Sequence, residues 1–244
     1  MRIDTLVLQM RPRAKHEAAD LGIRLCQRVA GDVYRCYLLV AIPMTILALS
    51  LFEVAHWIPV MLIWWSKPWM DRSILFVLGR AAFGQRTRPA DLWNEQRDVW
   101  WRQFLLMWTW RRLSPWRSFT QPVYQLEGQA FMRMRQRVLQ LRRRHTGAAF
   151  MMTQAFAWAE LGLTLGLLVL VFLFSTPGGG FDLESLIDGD AVVAAQVVAT
   201  LAYVLVVLFI EPFYVAAGFG MYLNRRAELE AWDIEQEFRR AFSS

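Results

Sequence analysis

Residues 191 to 210, AVVAAQVVATLAYVLVVLFI, run for twenty positions without a charge. A helix that is apolar all round belongs in a core or in lipid, and about 20 apolar residues cross a hydrocarbon layer. Two further uncharged runs accompany it: fourteen residues at 161–174, LGLTLGLLVLVFLF, and seventeen at 36–52. A soluble chain of 244 residues rarely carries 56% hydrophobic residues and twelve tryptophans, so composition points the same way. The expected fold is all-α: an integral membrane helical bundle.

Charge gives the expected orientation. Arg and Lys accumulate on the cytoplasmic side of a membrane protein. Seven lie in residues 1–35, sixteen in 67–148 and four in 224–244, which accounts for all 27. The loop STPGGGFDLESLIDGD, 175–190, has none and carries four acids. Both termini and the middle segment are therefore expected inside, and the acidic loop outside. The first 35 residues carry charges throughout, so no cleavable leader is expected. Cys26 and Cys36 fall on the inner side, where thiols stay reduced. With three histidines, no Cys/His metal spacing arises.

An inside–inside connection requires an even number of crossings between residues 35 and 85. The first span covers about 36–53, and the return must lie in HWIPVMLIWWSKPWMDRSILFVLGRAAFG, 56–84. Only 57–66 is cleanly apolar there, and Pro68 interrupts a helical hydrogen-bond ladder. Either a broken second span continues to about Gly84, or 36–66 form a short hairpin followed by a surface helix. The broken span is the reading carried forward, which makes four spans. Five segments follow. Residues 1–35 are an amphipathic cytoplasmic segment, with Ala18, Leu21, Leu25 and Val29 on one face. Residues 36–84 are a first membrane hairpin broken near Pro68, and 85–148 a cytoplasmic Trp/Arg-rich helical segment. Residues 149–224 form a second hairpin around the outer loop, and 225–244 an acidic cytoplasmic helix.

In the middle segment, Trp93, Trp100, Trp101, Trp108 and Trp110 suit the headgroup level, where an indole keeps its ring apolar and its N–H wet. LSPWRSFTQPV, 113–123, breaks helical periodicity. LEGQAFMRMRQRVLQLRRR, 126–144, resumes it, with Leu126, Phe131, Met134, Val138 and Leu141 striping one side. Its arginines, Arg133, Arg137, Arg142, Arg143 and Arg144, are either a solvated face or a contact for anionic lipid headgroups. Each cation near the leaflet contributes roughly 1 kcal/mol to such contact. Nucleic acid is not an expected partner, because positive-inside bias already accounts for the basicity. The acidic helix at 225–244, with Ala227, Ala231, Ile234, Phe238 and Ala241 in a stripe, could dock on this arginine helix.

Catalytic signatures are absent: no G-x-S-x-G, no H-E-x-x-H and no P-loop. The Gly–Asp pair in IDGD, 187–190, lies in the outer loop without a second intramembrane aspartate. No enzymatic activity and no cofactor are expected. The candidate polar site, inside the membrane or at its interface, comprises Lys67, Asp71, Arg72, Glu160 and Glu211, since charges in lipid are costly enough to mark function. Glu160 and Glu211 are expected at the inner boundary, with Pro212 bending the chain after Glu211. Small residues four apart, Gly162 and Gly166, Ala195 and Ala199, then Ala216 and Gly220, predict close packing of the third and fourth spans, or self-association.

The stretch EPFYVAAGFGMYLNRRAELEAWDIE, 211–235, resembles the end of bacterial multi-span inner-membrane proteins related to the membrane domain attached to some glycerophosphodiester phosphodiesterases. Pro212, Tyr222, Arg225, Arg226, Glu230 and Asp233 carry the resemblance, over about a tenth of the chain. It implies a bacterial inner-membrane module without hydrolytic activity. Two functions remain open on these observations. One is a non-enzymatic scaffold or anchoring subunit of an envelope complex, with protein partners or a second copy of itself. The other is a small transporter or lipid-handling protein using intramembrane charges.

Overall fold

The computed structural model describes residues 14–102, 104, 108–109, 114–128, 131–143, 145–175 and 189–230. Among them every regular element is a helix. In chain order these are α1 (Lys15–Arg28), α2 (Ala30–Ser50), α3 (Ile58–Ala81), α4 (Pro89–Asn94), a π turn (Arg97–Trp101), α5 (Arg117–Leu126), α6 (Phe131–Arg142), α7 (Thr146–Ser175) and α8 (Gly189–Glu230). Residues 176–188, expected as most of the outer loop, and 231–244, expected as most of a C-terminal helix, lie outside the described residues, as does Arg144.

Three helices are long and apolar enough to cross a membrane: Ala30–Ser50, Thr146–Phe174 and Val192–Glu230. Their outward faces carry the apolar side chains that a soluble protein would bury, including Ile46 and Leu47 on α2, Val169 and Leu173 on α7, and Leu205 and Phe209 on α8. An apolar surface of that extent suits lipid. The fourth long helix, α3, has 24 residues, a length of about 36 Å, but carries Lys67, Asp71, Arg72 and Arg80.

Two expected interruptions are absent. Pro68 lies inside α3, which continues to Ala81. Pro212 likewise lies inside the 42-residue α8. Proline removes one backbone donor and crowds the preceding turn, but packing on neighbouring helices can hold the helix through it. α3 is so held: Gln121 Nε2 donates to the Pro68 carbonyl at 3.0 Å, and Gln125 Nε2 to that of Arg72 at 2.8 Å. LSPWRSFTQPV also holds most of a helix, α5, with Pro122 inside it. Its periodicity is hidden because Arg117, Ser118, Phe119, Thr120, Gln121, Pro122 and Val123 are all buried.

α8 is the hub, touching α1, α2, α3, α5, α6 and α7. Small residues set how closely α1 and α5 approach it. A Cβ added to Gly220 would lie 2.2 Å from the Ala18 carbonyl oxygen, and one on Gly22 1.9 Å from that of Ala216. Ala18 and Gly22 of α1 therefore mesh with Ala216 and Gly220 of α8. On the α5 side, a Cβ at Gly218 would lie 2.4 Å from Ser118 Oγ. The amphipathic N-terminal helix is thus packed on the bundle, with Ala18 and Leu25 buried as its stripe anticipates.

The other small-residue motifs do not serve this purpose within the chain. Among the described residues nothing lies within 4 Å of a Cβ added at Gly162 or Gly166, although α7 and α8 do pack together. Ala195 and Ala199 are only half-buried. The α7–α8 contact includes instead the first half of α7, where the Phe156 and Tyr214 rings meet at 5.6 Å.

Cys26 and Cys36 are free and fully buried. Burial pushes the Cys26 thiol up to about 12, so almost none is thiolate, the reactive form, at neutral pH. Both are expected to resist N-ethylmaleimide in mild detergent at pH 7 and to react fully in SDS, read by intact mass. Fast labelling of folded protein at Cys26 would mean that α1 is not seated on α8.

Candidate functional site

Four helices deliver five charges to one enclosed place. α3 contributes Lys67 and Asp71, which its four-residue spacing puts on one face. α5 contributes Arg117, α7 Glu160 and α8 Glu211. Lys67 Nζ donates to both carboxylate oxygens of Glu160, at 2.7 and 2.6 Å, and lies 3.1 Å from Glu211 Oε2. Arg117 Nη2 donates to Glu211 Oε1 at 2.6 Å and lies 3.2 Å from Asp71 Oδ2. Asp71, Lys67, Arg117 and Glu211 are buried, while the Glu160 side chain retains 19% of its exposure.

Aromatic rings complete the enclosure. Lys67 Nζ lies 5.6 Å from the Tyr203 ring centre, and the Arg117 guanidinium carbon 5.2 Å from that of Tyr214. A cation over a ring face gains quadrupole attraction as it loses water. A cavity of about 290 Å³ reaches the cluster, with Trp64, Lys67, Arg117, Glu160, Glu211 and Tyr214 among its lining residues. It mixes fixed charges with apolar and aromatic walls, as ligand sites do.

Of the five candidates expected from sequence, the structure brings together Lys67, Asp71, Glu160 and Glu211. Arg72 is buried but turned elsewhere, donating to the carbonyls of Arg102 (2.9 Å) and Asp98 (3.0 Å). It fastens the segment after α4 to α3. The expected bend at Glu211 is corrected: Glu211 sits within a continuous helix and is enclosed by protein. Glu160 is likewise in the middle of α7 rather than at its start, because that helix begins at Thr146. Arg117 was not anticipated. It sits between two prolines in a segment without visible periodicity, and no local signal marked it among the sixteen cations of that region.

A second polar cluster lies where α6 meets the last turns of α8. Arg137 pairs with Glu127 and Glu230, Arg226 pairs with Glu230, and the Tyr222 hydroxyl donates to Glu127 at 2.8 Å. The arginine helix thus docks on the start of the acidic segment. Its stripe is buried at Met134, Val138 and Leu141. Two of its arginines are engaged within the protein. Arg137 faces these carboxylates, and the Arg142 guanidinium stacks 3.6 Å from the Trp116 ring centre. Arg133 and Arg143 remain exposed. The tryptophan expectation is corrected at one position: Trp100 is core, its Nε1 donating to Ser73 Oγ at 2.9 Å. Trp93 and Trp101 are exposed, and Trp110 lies outside the described residues.

The fold and site define a class: an all-helical protein with three membrane-capable helices and an ion cluster enclosed between four of its helices. No protein-family model, curated protein or solved structure matches this chain.

Proposed function

We propose that this chain is a small membrane transporter or lipid-handling protein that works through the buried cluster of Lys67, Asp71, Arg117, Glu160 and Glu211. One observation carries the reading. A structural ion pair needs two charges, whereas here five charges from four helices meet, and four of them line a cavity of about 290 Å³. Removing so many charges from water is costly, and hydrophobic residues of similar volume stabilise a bundle as well or better. Charges kept at that cost inside a membrane protein mark a working site.

The reading includes four crossings, α2, α3, α7 and α8, with both termini at the cytoplasmic face of a bacterial inner membrane. α3 then crosses with its charges turned into the bundle and its backbone bonds intact. On that arrangement Lys67 lies about 14 Å along α3 from its outer end and Glu160 about 22 Å along α7 from its own, both within the thickness of the hydrocarbon layer.

The test is exchange of charge without change of shape. In proteoliposomes under a proton gradient, the wild-type chain is expected to dissipate the gradient faster than empty vesicles. Glu160→Gln and Glu211→Gln should return to the empty-vesicle rate, or shift the lipid profile of cells that depend on the protein. Variants matching the wild type in flux, lipid profile and growth would sink the proposal.

The scaffold reading has its own observation, the outward face of α7, where Gly162 and Gly166 have no neighbour. Under that reading a partner helix sits there, and cysteine crosslinking from this face should recover a stoichiometric partner or a second copy.

A further inference from the structure

The cluster does not balance. Three carboxylates, Asp71, Glu160 and Glu211, face two cations, Lys67 and Arg117, and the cations' closest contacts go to Glu160 and Glu211. Asp71 is the residue left over. Its side chain is 0% exposed, and no donor completes a hydrogen bond to either of its oxygens. Arg117 Nη2 approaches Oδ2 at 3.2 Å while it donates to Glu211. The Asp71 and Glu211 carboxyls are thus neighbours on one guanidinium nitrogen, Oδ2 at 3.2 Å and Oε1 at 2.6 Å. Two carboxylates sharing a buried site repel one another and are both acceptors, and one bound proton removes the repulsion and supplies a donor.

We propose that Asp71 and Glu211 form a carboxylic acid–carboxylate pair that binds one exchangeable proton, with Arg117 holding both members. The proton supplies the missing donor, satisfies the buried Asp71 oxygen and brings the five-residue cluster to net zero. A metal cation fits less well. Among the described residues no three His, Cys, Asp or Glu side chains are grouped to hold one, and Lys67 and Arg117 already occupy the cationic positions.

Every surrounding helix contributes to the balance. α2 brings the Tyr37 hydroxyl into the field of both acids, α3 brings Lys67, α5 Arg117, α7 Glu160, and α8 Tyr203 and Tyr214. The cavity wall includes Glu211 and Glu160, whereas Asp71 is not part of it. Exchange therefore proceeds in two steps. The O–H bond of Asp71 breaks as one forms on Glu211, with no change in total charge. Glu211 then releases the proton to water in the cavity, which leaves the cluster at −1, or passes it to Glu160, which keeps the cluster at zero until Glu160 releases it to that water. Strong coupling makes the titration a property of the pair, not of either residue. This assignment deepens the transport reading, on which it rests for its use, by naming the proton as the ion that the site handles.

Infrared spectroscopy of the purified chain in detergent tests it directly. At neutral pH the wild type should show the carbonyl stretch of one protonated carboxyl per chain, shifted in D2O and lost as pH is raised. Asp71→Asn removes the acid. Glu211→Gln leaves two carboxylates for two cations, so Asp71 ionises. Both variants should fall from one protonated carboxyl to none, and having two guards against a folding failure in either, checked by circular dichroism and gel filtration. Glu228→Gln, outside the cluster, should keep the band. Absence of the band in the wild type, or its survival in folded Asp71→Asn, overturns the pair. The band with no flux or lipid phenotype supports the proton site and sinks the transport reading. Flux without the band does the reverse.

Discussion

Arg117→Gln is expected to be among the most damaging single substitutions in this protein, costing about 3–5 kcal/mol of stability. The intact ion network itself need not stabilise the fold, because desolvation of its members offsets their attraction. Removing one partner is a different matter. Arg117 is the cation that approaches Asp71 at 3.2 Å, and it donates to Glu211 at 2.6 Å. Without it Lys67 alone faces three acidic side chains, of which Asp71 and Glu211 are buried. Thermal unfolding in detergent or reversible SDS titration would measure the loss. The double variant Arg117→Gln/Glu211→Gln restores the count to one cation, one anion and a neutral Asp71. It should therefore be more stable than Arg117→Gln alone, a non-additivity expected of groups in one network. If the single variant unfolds like the wild type, Arg117 does not hold these acids.

Gly22→Ala is expected to separate α1 from α8. Alanine favours a helix over glycine by up to about 1 kcal/mol, so local propensity alone would stabilise α1. The neighbouring backbone decides otherwise. The added Cβ would lie 1.9 Å from the Ala216 carbonyl oxygen, and for Gly220→Ala the corresponding distance to that of Ala18 is 2.2 Å. No side-chain rotation relieves a clash with a main-chain carbonyl, so the helices must move apart, at a cost of about 1–3 kcal/mol or more. The same movement should open Cys26 to maleimide, giving a second readout. Gly31→Ala and Gly162→Ala are the controls: nothing lies within 4 Å of either added Cβ, and both should be neutral or slightly stabilising. Equal behaviour of all four variants would rule out close helix contact at Gly22.

Much of the candidate site was legible because lipid makes charge conspicuous. Lys67, Asp71, Glu160 and Glu211 stood out against apolar surroundings, and the structure draws these four together. Arg72 stood out equally, but side-chain length and direction sent it to the carbonyls of Arg102 and Asp98. Arg117 was hidden for the opposite reason. It follows Pro115 in a region already rich in arginine, and its helix is buried on too many sides to show a period. The prolines misled in a consistent way. Pro68 and Pro212 each predict a break from local rules, and each is carried inside a long helix by packing that local rules do not contain. The small-residue motifs show the same limit. Gly162 and Gly166 match the packing pattern as well as Ala216 and Gly220 do, yet only the latter found a close-packed neighbour, in α1.

By itself the sequence determined the environment and the helices, because transfer into lipid depends on the composition of each stretch and needs no partner. Uncharged runs mark the membrane-capable helices wherever the rest of the chain lies. Tertiary structure alone decided the pairings. Arg117 and Glu211 are 94 positions apart, and so distant a contact leaves no trace in local periodicity or spacing. Which acid obtained a full set of donors, and which was left facing another acid, followed from how α3, α5, α7 and α8 came together.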